Sequence, residues 1–239
     1  MYSLPYNTRL RGISSHVAPS HPRSHPSPLF DLDGTLLDST ADLAAAANVA
    51  RGAFGLPDLP EVEIARHIGW GLGHLLTHTL PESLHPRLSE ARAAFMTHYA
   101  AHLVDRSAPY PGVDAFLASQ PRGSLGLVTN KPSAFVTPIL DALGWNDRFG
   151  VVLGGDTLPT RKPHPGPLLA ALDALGARAG SSVFVGDSEV DREASRRAGI
   201  PFVAVRWGRV AQDAPVVVDD LATLPHLPVH SAEPSDMES

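Results

Sequence analysis

The apolar and polar positions of the chain follow two rhythms. Beyond Pro111-Gly112, short apolar runs alternate with helical patterns. Leu125 to Thr129 reads as a buried strand, and Pro132 to Leu143 as a helix that starts on proline and ends at Gly144. Phe149 to Leu153 reads as the next strand and Pro165 to Leu175 as a helix. Val183 to Asp187 follows as a strand, Glu189 to Ala198 as a helix stopped by Gly199, and Pro201 to Val205 as a last core strand. Units of this kind predict a parallel sheet covered by helices on both faces.

From about residue 44 to 108 the second rhythm is helical throughout, with turns at Gly55 to Pro60, Gly69 to Gly73, Pro81 and Pro86. Ser39 and Asp42 offer N-terminal capping to an Ala-rich helix that runs through Leu43, Ala46, Ala47 and Val49 toward Gly52. The expected organisation is an α/β core over residues 27–43 and 109–224, with an all-helical cap domain over 44–108 connected near 40–44 and 106–111. Residues 1–26, rich in Ser, His and Pro without periodicity, are expected to form a disordered tail, and 225–239 a loose one. In the first strand only Leu29 and Phe30 are strand-like, and Pro28 cannot donate to a ladder.

Composition narrows the partners. The 239 residues carry a formal charge of -6 and no dense Lys/Arg block, which argues against nucleic acid or an anionic membrane as the main partner. With no cysteine, disulfides, thiolate metal sites and a cysteine nucleophile are excluded. No segment approaches the roughly 20 continuous apolar residues that span a bilayer, and the N-terminus lacks the apolar core of a signal peptide, so a cytoplasmic location is expected. A monomer or weak homodimer is the expected state.

The chemistry centres on Phe30-Asp31-Leu32-Asp33-Gly34-Thr35-Leu36-Leu37-Asp38-Ser39. Alternate residues of a strand share a face, so Asp31 and Asp33 point the same way at a strand end, where open α/β sheets bind ligands. Asp-x-Asp-Gly alone reads better as a solvated turn, and a calcium loop would need a ligand ladder that does not follow. Three further strand ends belong to the same edge. Thr129 and Asn130 lead into a helix and make an anion site, though Thr-Asn-Lys-Pro is also simply a turn. Lys162 sits on a loop stiffened by Pro159 and Pro163. Asp187 and Asp191 lie at a strand end and on the first turn of the next helix, where either alone reads as a cap. With Asp31 they compose an all-oxygen site that suits magnesium better than zinc.

These motifs, in this order over residues 30 to about 205, resemble the haloacid-dehalogenase superfamily. The finer resemblance is to phosphoglycolate phosphatases, carried by Phe30 to Ser39, Pro109-Tyr110-Pro111-Gly112-Val113, Val128-Thr129-Asn130-Lys131-Pro132, Gly154-Gly155-Asp156-Thr157, Lys162-Pro163-His164-Pro165 and Gly186-Asp187-Ser188. The resemblance implies a Rossmann-like core and a magnesium-dependent phosphatase acting on a small-molecule phosphate ester, with 2-phosphoglycolate hydrolysed to glycolate. Asp31 would be the nucleophile and Asp33 the general acid and base, its main-chain carbonyl also ligating magnesium, while Thr129, Asn130 and Lys162 hold the phosphoryl group. It also places a loop of the insert over the site, making Arg66, Trp70 and His74 candidate substrate selectors. Arg66 is the expected partner of a substrate carboxylate, with Lys131 at the rim as second choice.

Other readings stay open: a sugar-phosphate or amino-sugar-phosphate phosphatase, or a mutase, of the same superfamily. A dehalogenase would not need Asp33, and a phospho-acceptor signalling module has no helical insert. Gly69-Trp70-Gly71-Leu72-Gly73 follows no strand and is not read as a dinucleotide site. The pairs His74 with His78 and His98 with His102 have metal-gripping i, i+4 spacing but read as solvated surface.

Overall fold

The computed structural model describes residues 27–226, so the expectations for 1–26 and for most of 225–239 lie outside the described residues; Pro225 and His226 end a 3-10 helix, Leu221–His226. The first strand, β1 (Leu29–Phe30), is central and both its residues are fully buried. Pro28 does not interrupt the ladder, because its carbonyl accepts from Gly126 N at 3.1 Å and the first N–H required is that of Leu29, 2.9 Å from Val183 O. Beside it lie β4 (Leu125–Val128), β5 (Phe149–Leu153), β6 (Phe184–Gly186), β7 (Phe202–Val205) and β8 (Val217–Val218), in the order β5-β4-β1-β6-β7-β8 with every pairing parallel. β7 is therefore not the last strand: Val217–Val218 extends the sheet by one more. Of the connecting helices, α6 (Ser133–Ala142), α7 (Gly166–Leu175) and α8 (Glu189–Ala198) start and stop close to the predicted positions, whereas α5 (Val113–Ser119) is a helix that the apolar pattern did not announce.

Between β1 and β4 the chain leaves the sheet through a two-stranded antiparallel ribbon, β2 (Leu37–Asp38) with β3 (Ala108–Pro109), which the apolar pattern did not announce. The regular elements between these two strands are all helical: α1 (Thr40–Gly52), α2 (Glu61–Ala65), α3 (Leu72–Thr79), a 3-10 turn over Glu82–Arg87 and α4 (Leu88–Ala101). The expected boundary at 43/44 falls inside α1, which runs unbroken from Thr40 to Gly52. Its fully buried Ala46, Ala47 and Ala50 form a small-residue face against α4, whose Ala91, Phe95 and Tyr99 are buried in the same cluster.

The residues expected to cap α1 do other work. Ser39 makes no capping bond, and its hydroxyl instead donates to Asp33. Asp42 is 3% exposed and accepts from the backbone N–H groups of Arg106 and Ser107 and from Ser107 Oγ at 2.6 Å. The incoming and outgoing connections of the insert are thereby tied at one carboxylate. Among the described residues no helix is long and apolar enough to cross a membrane.

Candidate active site

β1 delivers Asp31 to the edge of the sheet at its C-terminal end, with its N–H on Val185 O of the neighbouring strand at 3.0 Å. Lys162, brought in by the loop before α7, places Nζ 2.7 Å from Asp31 Oδ1 and 2.7 Å from Asp191 Oδ1. All three side chains are buried, and the ammonium lies over the Phe184 ring. Asp187 closes the group from the end of β6. Gly34 makes that approach possible: its φ is +88°, and a Cβ there would meet the Asp187 carboxyl at 2.7 Å.

One oxygen from each of Asp31, Asp187 and Asp191 lies within 4.8 Å of the others. Burial, opposed by Lys162 and reinforced by Asp191 and Asp187, pushes the Asp31 carboxyl up to about 8. Burial and then Asp191 push Asp187 up to about 7, against the pull of Arg209. Burial alone would lower Lys162, but Asp191 and Asp31 turn its shift upward, so the ammonium keeps its proton. Asp191 has both oxygens engaged, one by Lys162 and the other by Ser188 N, Ser188 Oγ and Asp187 N. Asp187 Oδ1, by contrast, is buried without a hydrogen-bond partner among the described residues. A cluster of hard oxygens that crowd one another and leave one buried acceptor unused fits a small divalent cation such as magnesium.

Asp33 stands beside this group with two donors on one oxygen: Ser39 Oγ at 2.5 Å and Lys131 Nζ at 2.8 Å. Lys131, expected at the rim, is buried at 4% exposure, because Asp33 supplies a counter-charge and the Tyr99 ring lies 4.6 Å from the ammonium. Thr129 and Asn130 directly follow β4 next to it, both buried. The Asn130 amide donates to Lys162 O at 2.9 Å and to Gly69 O at 3.0 Å, so it joins the lysine loop to the insert. The glycines around Trp70 serve that approach: at Gly71, with φ +91°, a Cβ would lie 3.3 Å from Asn130 O.

A cleft opens above Asp31 and Asp33 between the sheet edge and the insert. Thr129, Asn130 and Lys131 line one side, Leu43, Leu72, Leu75, Phe95 and Tyr99 the other, and His67 to Gly69 the entrance. Arg66, Trp70 and His74 are not among its lining residues, whereas their neighbours His67, Ile68, Gly71 and Leu72 are. The structure thus brings Asp31, Asp33, Thr129, Asn130, Lys162, Asp187 and Asp191 together and leaves the three insert residues outside the wall.

Three participants were not expected. Arg209, after β7, contacts Asp187 Oδ2 through Nε at 3.1 Å and Nη2 at 3.0 Å, while Nη1 donates to Ile68 O at 2.9 Å and Ala65 O at 3.3 Å. Tyr99 presents a buried hydroxyl within reach of the Lys131 ammonium but without a hydrogen bond of good geometry among the described residues. Neither carries a local signal, since one follows a turn and the other reads as an ordinary core aromatic. The third, Ser39, was legible only as a cap.

Residues 29–205 match the family model described as haloacid dehalogenase-like hydrolase. The chain belongs to this family. It is 39% identical over 204 residues to a phosphoglycolate phosphatase of Xylella fastidiosa, a match that covers 83% of this chain and 89% of that one. A plasmid-borne phosphoglycolate phosphatase of Cupriavidus necator is also 39% identical, over 83% of this chain and 91% of its own. Among solved structures, a predicted phosphoglycolate phosphatase from Haemophilus somnus superposes with a TM-score of 0.75 at 31% identity, covering 83% of this chain and 96% of that one. This haloacid dehalogenase-like hydrolase is a phosphatase.

Proposed function

We propose that this phosphatase hydrolyses small soluble phosphate monoesters, phosphoglycolate foremost, with magnesium as cofactor and the helical insert as a cap over the cleft. The observation that carries the reading is the pair Asp31 and Asp33 at the floor of the cleft, the first held by Lys162 and the second by Ser39 and Lys131. Asp31 attacks phosphorus in line; the ester oxygen leaves as the aspartyl-phosphate forms. Asp33, in its protonated form, gives its proton to the leaving alkoxide and then takes one from the water that hydrolyses the acyl phosphate. Lys162 and Thr129 hold the phosphoryl oxygens, and Asp191 fixes the lysine. Asp31, Asp187 and the main-chain carbonyl of Asp33 would hold a magnesium ion, which would supply further positive charge to those oxygens.

The substrate follows from the walls. Leu72, Leu75, Phe95 and Phe135 offer little to the several hydroxyls of a sugar. A compact ester with one polar end suits them better, and relatives at about 40% identity are named phosphoglycolate phosphatase. For the substrate carboxylate the candidates are the Tyr99 hydroxyl inside the cleft and Arg66, exposed next to His67, at its entrance. Such an enzyme works alone or as a weak homodimer in the cytoplasm. Phosphate release with magnesium across two- to six-carbon esters tests the reading. Phosphoglycolate is expected to give the highest kcat/KM; a sugar phosphate well above it overturns the substrate, and absence of sustained release from every ester overturns the mechanism.

A further inference from the structure

We propose that His67, His74 and His78 form a second metal site, for a divalent transition ion of the zinc class, on the helical insert beside the cleft. The i, i+4 pair on α3, expected to be plain solvated surface, gains a third imidazole because the turn through Gly69 and Gly71 folds His67 back onto it. One donor nitrogen of each ring lies within 4.8 Å of the other two. The ring centroids are 3.8 Å apart for His74 and His78, 5.0 Å for His67 and His78, and 5.6 Å for His67 and His74.

Hydrogen bonding orients one of the lone pairs. His78 Nδ1 lies 2.8 Å from His74 O. A carbonyl only accepts, so Nδ1 donates to it, the arrangement by which a ligating histidine is usually held through its other nitrogen. Burial, followed by the neighbouring rings, shifts His67 down, and His74 down to about 4.

The donor set selects the ion. Nitrogen ligands without a carboxylate suit zinc, nickel or copper and do not suit magnesium, which stays with the buried oxygens of Asp31 and Asp187. Arg66 beside His67 and Arg161 near His74 oppose a cation electrostatically, so binding rests on the three nitrogen bonds. A tetrahedral zinc with bonds of about 2.0–2.1 Å brings its donors to about 3.4 Å from one another. His67 and His74 each lie stacked on His78 at 26°, so binding also requires the side chains to rotate until the ring edges meet at one point, and the exposure of His78 and half-burial of the other two leave room for it. The fourth position is open to water. His67 lines the cleft and α3 carries the other two ligands, so a bound ion fastens the entrance to the body of the insert.

The test is a Co2+ titration of the full chain with magnesium in large excess, which keeps the oxygen site filled. One equivalent of Co2+ with the intense visible absorption of a low-coordinate nitrogen site is expected, displaced by Zn2+. His74→Gln and His78→Gln should each weaken it by at least about tenfold. Asp187→Asn, and the double substitution of the terminal His21 and His25 by Gln, should leave it intact, with circular dichroism confirming that each variant is folded. Absence of such an equivalent overturns the site. So does an affinity unchanged by His74→Gln, or absorption that disappears with Asp187→Asn or with the loss of His21 and His25.

Discussion

Lys162→Met tests what holds the buried charges together. The substitution keeps an unbranched side chain of similar length and removes an ammonium that is 2.7 Å from two carboxylate oxygens, with all three side chains at 3% exposure or less. At an effective dielectric constant of about 20, each contact is worth ~6 kcal/mol of attraction. Most of this is offset by the cost of taking a lysine and two carboxylates out of water, and one carboxyl can take up a proton once the lysine is gone. The net loss should be about 3 kcal/mol, at the lower end for breaking a buried ion pair from one side. For about 200 ordered residues that lowers Tm by roughly 6–12 °C. Urea and thermal unfolding with a chelator present would measure it, and magnesium should restore part of the loss. In phosphate release, kcat should fall by about 10²–10³, the effect of removing one preorganised charge donor. A variant with wild-type urea midpoint in chelator and near-wild-type kcat would refute both the electrostatic and the catalytic assignment.

Asp31→Asn should abolish phosphate release while leaving Tm unchanged or higher, because it removes one of three crowded carboxylates and leaves Asp187 and Asp191 matched by Arg209 and Lys162; turnover beyond contamination in the pure variant counts against the nucleophile. Asp42→Ala strands two backbone N–H groups and a hydroxyl at the base of the insert, for a loss of about 2–4 kcal/mol in urea unfolding, and a change below about 0.5 kcal/mol would show that the strap carries no weight. Tyr99→Phe should raise KM for phosphoglycolate by about 3- to 10-fold, one hydrogen bond's worth, and leave p-nitrophenyl phosphate unaffected; equal effects on both esters would remove the hydroxyl from substrate recognition.

The alternating half of the chain was legible because its periodicity is long and repeated: Phe149–Leu153 and Glu189–Ala198 stand where the pattern put them. Strands of two residues leave no period to detect, which is why β2, β3 and β8 were missed. At the site, the strand-end carboxylates and Lys162 could be found because each sits in a local motif. What stayed hidden was partner choice across long separations. Ser39 and Asp42 look like caps from their neighbours alone, but the donor offered by Ser107, 65 residues on, won Asp42, and Asp33 won Ser39. Lys131 looks exposed by residue type, and only its contact with Asp33, 98 positions away, makes its burial tolerable.

Arg209 and Asn130 join the core to the insert by gripping main-chain carbonyls, those of Ala65, Ile68 and Gly69. A carbonyl is the same whatever side chain its residue carries. The fastening is therefore blind to the identity of Ala65 and Ile68, so long as the loop keeps its path, and substitutions there can reshape the cleft entrance without detaching the insert. In evolutionary terms the joint is modular: substrate preference can drift on the insert while the phosphoryl-transfer machinery beneath it keeps the same attachment.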